Sequence, residues 1–242
     1  MRYALISDIH ANLEAFEAVL KDIKSVGVDN TLFLGDIVGY GPNPNECMDL
    51  LLKEADLSLG GNHDWAAVGM TPSEYFNPYA KSAMDWTVEV LRDDLKDFLL
   101  RTRAQDTFDG IQVAHSSPLN PEQWQYVMTQ KDAVANYPHI QGDICFIGHS
   151  HQPIVIECAG PDNIKALRVD TITLNPEMKY LVNIGSVGQP RDSNNHSCWV
   201  VYDSDLGSVE FRRVGYDISV TQKKMSDAGL AIYLIDRLSE GR

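Results

Sequence analysis

Three short apolar runs, residues 3–6, 31–34 and 57–59, are separated by two stretches long enough for helices. In the first stretch Leu13, Phe16, Leu20 and Ile23 recur at helical spacing. The pattern predicts a helix over residues 13–26 with Asn12 as its N-cap. A second helix is expected over residues 45–54. Strand–helix–strand alternation with short loops marks parallel βαβ units. Parallel strands of one sheet send their carboxyl ends to a common edge, where the adjoining loops share a crevice.

The residues just past each strand are therefore the informative ones. The first run leads into Asp8 and His10, the second into Asp36, and the third into Asn62, His63 and Asp64. Residues 111–114 read as a strand ending at His115. Residues 144–147 read as another, with His149 and His151 beyond it. Residues i and i+2 of extended chain point the same way, so Asp8 with His10, and His149 with His151, are each expected to aim two groups at one point. Gly35, Gly60, Gly61 and Gly148 precede these residues and permit close backbone approach. The donor set is imidazole, carboxylate and amide oxygen without thiolate, which suits Mn, Fe, Co, Ni or Zn in an open catalytic site. Seven ligands exceed what one four-coordinate ion needs and suit two ions sharing a carboxylate. Asp36 is best placed to be shared.

Residues 77–101 read as mostly helical, and residues 129–137 as helix. After Pro153 the segments IVIEC, KALRV, YLVNI, CWVVYD and VEFRRV read as an antiparallel half, and AIYLIDRL as a closing helix. With 242 residues, 44% of them hydrophobic, and no linker or repeat, one domain over residues 1–242 is expected, a mixed β sandwich covered by helices. Lys and Arg number 20 against 34 Asp and Glu, a net charge of −14. That charge disfavours long nucleic acid, whose backbone it repels, but leaves room for a small phosphorylated substrate. Cys47, Cys145, Cys158 and Cys198 form no C-x-x-C pair and read as buried free thiols of a reducing compartment. No signal peptide and no membrane-length apolar run is read, so a cytoplasmic protein without membrane partners is expected. Oligomeric state is left open.

The ordered series Asp8-x-His10, Gly35-Asp36, Gly61-Asn62-His63-Asp64, His115 and Gly148-His149-x-His151 resembles the calcineurin-like metallophosphoesterases. The compact prokaryotic phosphodiesterases, including diadenosine tetraphosphatase-like members, look most similar. The resemblance implies an α/β fold, a four-layer α/β/β/α sandwich of two mixed sheets flanked by helices. It implies two divalent ions per chain (Mn, Fe, Ni or Zn). Asp8, His10, Asp36 and His151 would hold one ion, and Asp36, Asn62, His115 and His149 the other. The implied activity is hydrolysis of a small phosphodiester or nucleotide, with a dinucleoside polyphosphate within that range. A water bridging the ions would attack, and His63 would act as general acid. Asn62, His63 and Arg191 would contact substrate.

The stretch GDIVGYG departs from the G-D-x-x-D-R-G of protein phosphatases in this superfamily, with Gly39 and Tyr40 in place of Asp and Arg. This argues against a protein phosphatase and leaves the group that orients His63 unidentified. Arg191, in NIGSVGQPRD, reads equally as a phosphate clamp or a surface ion-pair partner. Tyr40, Asn43 and Asn45 are expected to border the site, while Trp65 and Phe76 read as packing and His139 and His196 as ordinary structural residues. The competing class is a non-catalytic scaffold on the same fold, as in relatives that have lost metal-binding histidines. Retention of every position favours an enzyme.

Overall fold

The computed structural model describes residues 1–242 and contains two six-stranded mixed sheets flanked by helices. The first sheet has the order β3 (Leu57–Ser58), β2 (Asn30–Phe33), β1 (Arg2–Ile6), β11 (Ser197–Asp203), β12 (Ser208–Val214), β9 (Thr171–Thr173). The second has the order β4 (Gln105–Phe108), β5 (Ile111–Ala114), β6 (Ile144–Ile147), β10 (Lys179–Asn183), β7 (Ile154–Gly160), β8 (Asn163–Leu167). Each sheet contains a parallel trio, β1–β2–β3 in one and β5–β6–β10 in the other. The remaining pairings are antiparallel.

Period-two alternation explains the layers. Tyr3 and Leu5 of β1, Val113 of β5, Phe146 of β6 and Val182 of β10 meet between the sheets. Their neighbours point outward. Ala4 and Ile6 pack under α1 (Leu13–Val26) and α2 (Pro44–Glu54), while Cys145, Ile147 and Leu181 pack under α6 (Gln130–Asn136). Asn12 caps α1 by accepting the Ala15 N–H at 3.2 Å. Helices α4 (Pro78–Val90), α7 (Ile218–Asp227) and α8 (Ile232–Glu240) enclose Tyr40 in a separate apolar cluster. All four cysteines are buried and unpaired. No helix is long and apolar enough to cross a membrane.

Two expectations need correction. The segments after Pro153 do not form one antiparallel half: β7, β8 and β10 join one sheet, β9, β11 and β12 the other, and β10 runs parallel to β6. Residues 57–64 are not a strand ending in a polar cluster. β3 stops at Ser58, and the chain enters α3 (Asn62–Ala67), with α5 (Asp93–Leu99) coming after α4. Asn62 and His63 therefore sit on the first turn of a helix, which Asp64 caps by accepting the Gly61 N–H at 2.9 Å.

Candidate metal centre

The six strands of the two parallel trios end at one cleft. β1 delivers Asp8 and His10, β2 delivers Asp36, and β3 leads through Gly60–Gly61 into Asn62 and His63. β5 delivers His115 and β6 delivers His149 and His151. The loop after β10 buttresses the others. Ser186 Oγ and the Gly188 N–H donate to the Asp8 carbonyl at 2.8 and 2.9 Å, and Asn183 Nδ2 donates to the Gly148 carbonyl at 2.5 Å. None of the seven expected ligands is more than 8% exposed.

Their donor atoms fall into two groups. In one, His151 Nε2 lies 3.2 Å from Asp8 Oδ1 and 3.1 Å from His10 Nε2. In the other, Asp36, His115 and His149 each bring a donor atom within 4.8 Å of the rest. Asp36 Oδ2 is 3.3 Å from His115 Nε2 and 3.8 Å from His10 Nε2, so one oxygen faces both groups. His10, Asp36 and His63 form a third such grouping.

The far side of six of the seven expected ligands is fixed. Four ring nitrogens face main-chain carbonyls: His10 Nδ1 on Val38, His115 Nδ1 on Leu34, His151 Nδ1 on Gln189 and His149 Nε2 on Trp124, at 2.6–3.1 Å. A carbonyl only accepts, so those nitrogens carry a proton, and the opposite ones of His10, His149 and His151 present lone pairs to the cleft, while His115 Nε2 faces the Asp36 carboxylate. The carboxylates divide likewise. Asp8 Oδ2 accepts the His149 N–H and Asp36 Oδ1 accepts the His63 N–H, leaving one inward oxygen on each. Asp8 Oδ1, Asn62 Oδ1 and His115 Nε2 are buried without a hydrogen-bond partner. Converging lone pairs and orphaned oxygens are costly unless a cation joins them, and this donor set fits divalent ions.

Burial holds His149 down to about 3 and pushes His10 and His151 below the ordinary imidazole range, which keeps their lone pairs available. Burial also opposes charge on His115, but the Asp36 carboxylate outweighs it and raises the ring to about 9. A divalent ion would take the place of that proton. Asp8 and Asp36, despite burial, are held below the usual carboxylate range by neighbouring imidazoles.

The backbone departs from the extended geometry read in the sequence. Asp8, His10, Asp36, His149 and His151 all have left-handed φ, between 49 and 65°. The two-residue step thus works through a turn and not through strand parity. It brings Asp8 and His10 into one group but sends His149 and His151 to different ones. Each such residue costs on the order of 1 kcal/mol, and strain of this kind clusters at functional sites. Close approach is also needed. A Cβ on Gly61 would fall 2.1 Å from Asp36 Oδ1, and one on Gly148 would fall 2.2 Å from Ser7 Oγ.

His63 makes no side-chain hydrogen bond, and its Nδ1 is buried without a partner. A Cβ built on Gly39 would sit 2.5 Å from that nitrogen, so glycine stands where protein phosphatases place the aspartate that could orient the ring. Packing against Tyr40, Phe76 and His10 holds the ring instead, at centroid distances of 4.5, 4.6 and 4.9 Å. Burial lowers His63 to about 4, so it is neutral at pH 7 in the free protein. Asp64 does not touch the ring. It accepts the N–H groups of Asp36, Ile37, Val38 and Gly61 at 2.7–3.1 Å and so fastens the Asp36 loop to α3.

Arg191 has no carboxylate partner. It donates to Gln189 Oε1 at 2.7 Å and lies 5.6 Å over the Tyr40 ring, with its Nε buried and unpaired. Asn45 is a latch between loop and helix, bonded to the backbone of Val90 and Arg92, and Asn43 bonds Glu46, so of the three loop residues only Tyr40 contacts the site rings. Trp65 packs, with its edge against Trp124 and Nε1 on Thr102. Phe76 packs too, but against His63. His139 and His196 are exposed and lie outside the cleft residues. Sequence reasoning missed Trp124, whose carbonyl pins His149, and Tyr126, stacked on the same ring at 4.1 Å. Their left-handed turn and loop carry no periodic signal.

The chain belongs to the calcineurin-like phosphoesterase superfamily: residues 1–205 match that superfamily domain. An uncharacterized protein of Methanocaldococcus jannaschii is 42% identical over 244 residues, covering 99% of this chain and 98% of its own. The crystal structure of a metallophosphoesterase from Sphaerobacter thermophilus superposes with a TM-score of 0.89 at 38% identity, covering 100% of this chain and 99% of that one. A hypothetical protein of Pyrococcus horikoshii shares the fold, with a TM-score of 0.81 at 18% identity over 100% of this chain and 98% of its own. Membership supports a metal-dependent hydrolase of phosphoric esters and agrees with the two-sheet architecture.

Proposed function

We propose that the protein is a dinuclear-metal phosphoesterase acting on a small phosphodiester or nucleotide-like substrate. The observation that carries this reading is the pair of lone-pair clusters sharing Asp36 Oδ2. Asp8, His10, Asp36 and His151 would hold one ion, and Asp36, Asn62, His115 and His149 the other. Mn, Fe, Ni and Zn all suit these donors. When bound, the ions supply Lewis acidity toward phosphoryl oxygens and toward an attacking water. Two carboxylates leave such a centre in cationic surplus, which attracts an anionic substrate.

His63 supplies the proton. Its Nδ1 is shut against Gly39, so Nε2 is the atom that reaches substrate. An anionic phosphoryl group beside the ring raises its proton affinity from the low value set by burial, and Nε2–H then donates to the leaving oxygen. Asn62 and Arg191 are the other residues this reading assigns to substrate contact. The chain's charge of −14 makes long nucleic acid an unfavourable partner.

The test is leaving-group dependence. With metal-loaded protein, His63→Ala should lower kcat/KM about a hundred- to ten-thousandfold for a methyl phosphodiester, and far less for a 4-nitrophenyl one that leaves unaided. Equal losses on both would remove the acid role from His63. Absence of metal binding and of hydrolysis in the wild type would return the protein to the scaffold class.

A further inference from the structure

A cavity of about 180 Å³ lies on the outer face of the second sheet, beside α6, and takes no part in the chemistry assigned to the centre. Val127, Met128 and Ala133 line it from α6 and the loop before it, and Ile154, Ile156 and Ile164 line it from β7 and β8. Strand parity makes its floor. Ile156 pairs with Ala166 and Ile164 with Cys158, so alternate residues of the two strands face the same way. Ile154 opens β7 opposite Asn183, the last residue of β10, and therefore sits at the cleft end of the sheet. From there to the level of Cys158 the floor runs about 13 Å.

The lining selects one kind of occupant. It contains no charged residue and no aromatic ring. Its polar side chains are Thr129 and Gln130, and the Thr129 hydroxyl is committed to Asp132, whose N–H it accepts at 3.2 Å and whose carboxylate it donates to at 2.9 Å. A phosphate would find no cation there, and a nucleobase no stacking face. An aliphatic chain needs only dispersion contacts and release of water. Met128 is exposed and brings a flexible thioether to the mouth, a side chain that adapts to chains of different shape.

The cavity is continuous with the centre through a single loop. The Trp124 carbonyl pins His149, Tyr126 stacks on the same imidazole at 4.1 Å, and Val127 follows at once. From the opposite direction, Ile154 is three residues past His151. His63 packs on other residues, Tyr40 and Phe76. The group that leaves at His63 and a group that passes Tyr126 are thus met by different parts of the chain.

We propose that this cavity binds an aliphatic chain of the substrate, which makes the protein a hydrolase of alkyl phosphodiesters. This rests on the phosphoesterase reading of the centre. The chain is the ester group retained on phosphorus. It runs past Tyr126 and lies along β7 under Met128, its own C–O and P–O bonds intact, while water displaces the other ester oxygen.

The experiment measures kcat/KM of metal-loaded protein on 4-nitrophenyl alkyl phosphodiesters from methyl to octyl. The wild-type value should rise about threefold per added methylene until the cavity is full. Ala166→Trp, at an exposed position of β8, fills the cavity, and Met128→Glu places a charge at its mouth. Each should lower the octyl-to-methyl ratio at least about tenfold and leave the methyl ester within about twofold of wild type. A flat wild-type series, or a slope unchanged in both variants, would overturn the chain site while hydrolysis of the methyl ester upholds the phosphoesterase reading. Faster cleavage of thymidine 5′-(4-nitrophenyl) phosphate than of every alkyl ester would overturn the aliphatic class in favour of a base. Cleavage of none of these esters would overturn both readings.

Discussion

Asparagine at position 36 is expected to leave a folded protein with neither full metal content nor activity. The Asp36 Oδ1 contact with the His63 N–H, at 2.8 Å, survives the change, because the amide oxygen still accepts. The inward Oδ2, 3.3 Å from His115 Nε2, becomes an NH₂ group. A donor cannot ligate a cation, and the shared ligand is lost from both groups at once. Mass spectrometry should find about two divalent ions per chain in the purified wild type and about one or fewer in the variant. kcat/KM should fall about a thousandfold or more, equivalent to about 4 kcal/mol of barrier, while the melting temperature of metal-free protein stays close to wild type. Wild-type metal content with wild-type turnover would sink the shared role of Asp36.

The largest effect on stability is expected from Asp64→Ala. The carboxylate is fully buried and accepts four backbone N–H groups, three from the Asp36 loop and one at the start of α3. Burial and the Asp36 charge push this carboxyl up to about 7 against the pull of those donors, and a cation in the neighbouring centre favours its ionised form. Alanine relieves the repulsion with Asp36 but orphans four buried donors, each worth about 1–3 kcal/mol. The net expectation is a loss of about 4 kcal/mol, or about 10 °C in melting temperature for a chain of this size. Asp64→Asn, which keeps one acceptor oxygen, should fall between alanine and wild type. A melting temperature unchanged in the alanine variant would mean that solvent reaches these N–H groups.

Local signals in the sequence carried far. Residues 13–26 form α1 with Asn12 as cap, and β5 and β6 occupy the residues expected, because strong periodicity and a good cap leave little for tertiary context to override. The candidate ligands were legible because imidazoles and carboxylates set in order after apolar strands are too costly to bury for packing alone. Pairing over long separations was not legible. Nothing in CWVVYD indicates that Val200 lies opposite Leu5 in the first sheet. The polar edge strand β4 and helix α7, whose buried face holds only Thr221 and Met225, carry weak patterns. The left-handed turns were hidden because Asp and His tolerate them without glycine's signature. The partner of His63 Nδ1 could not be found in the sequence because the structure contains none.

The pairing of β1 with β11 has a consequence for the making of the protein. Every candidate ligand is translated by His151, yet β1 is clamped on one side by Ser197–Asp203, and the Asp8 and Gly148 carbonyls are held by residues 183–188. On the ribosome the nascent chain therefore displays its imidazoles and carboxylates long before the strand that aligns them has been made. Non-local closure of this kind is slow, and on the proposed reading metal capture would be a late event in biogenesis. A chain arrested after His151 would carry every ligand and no centre.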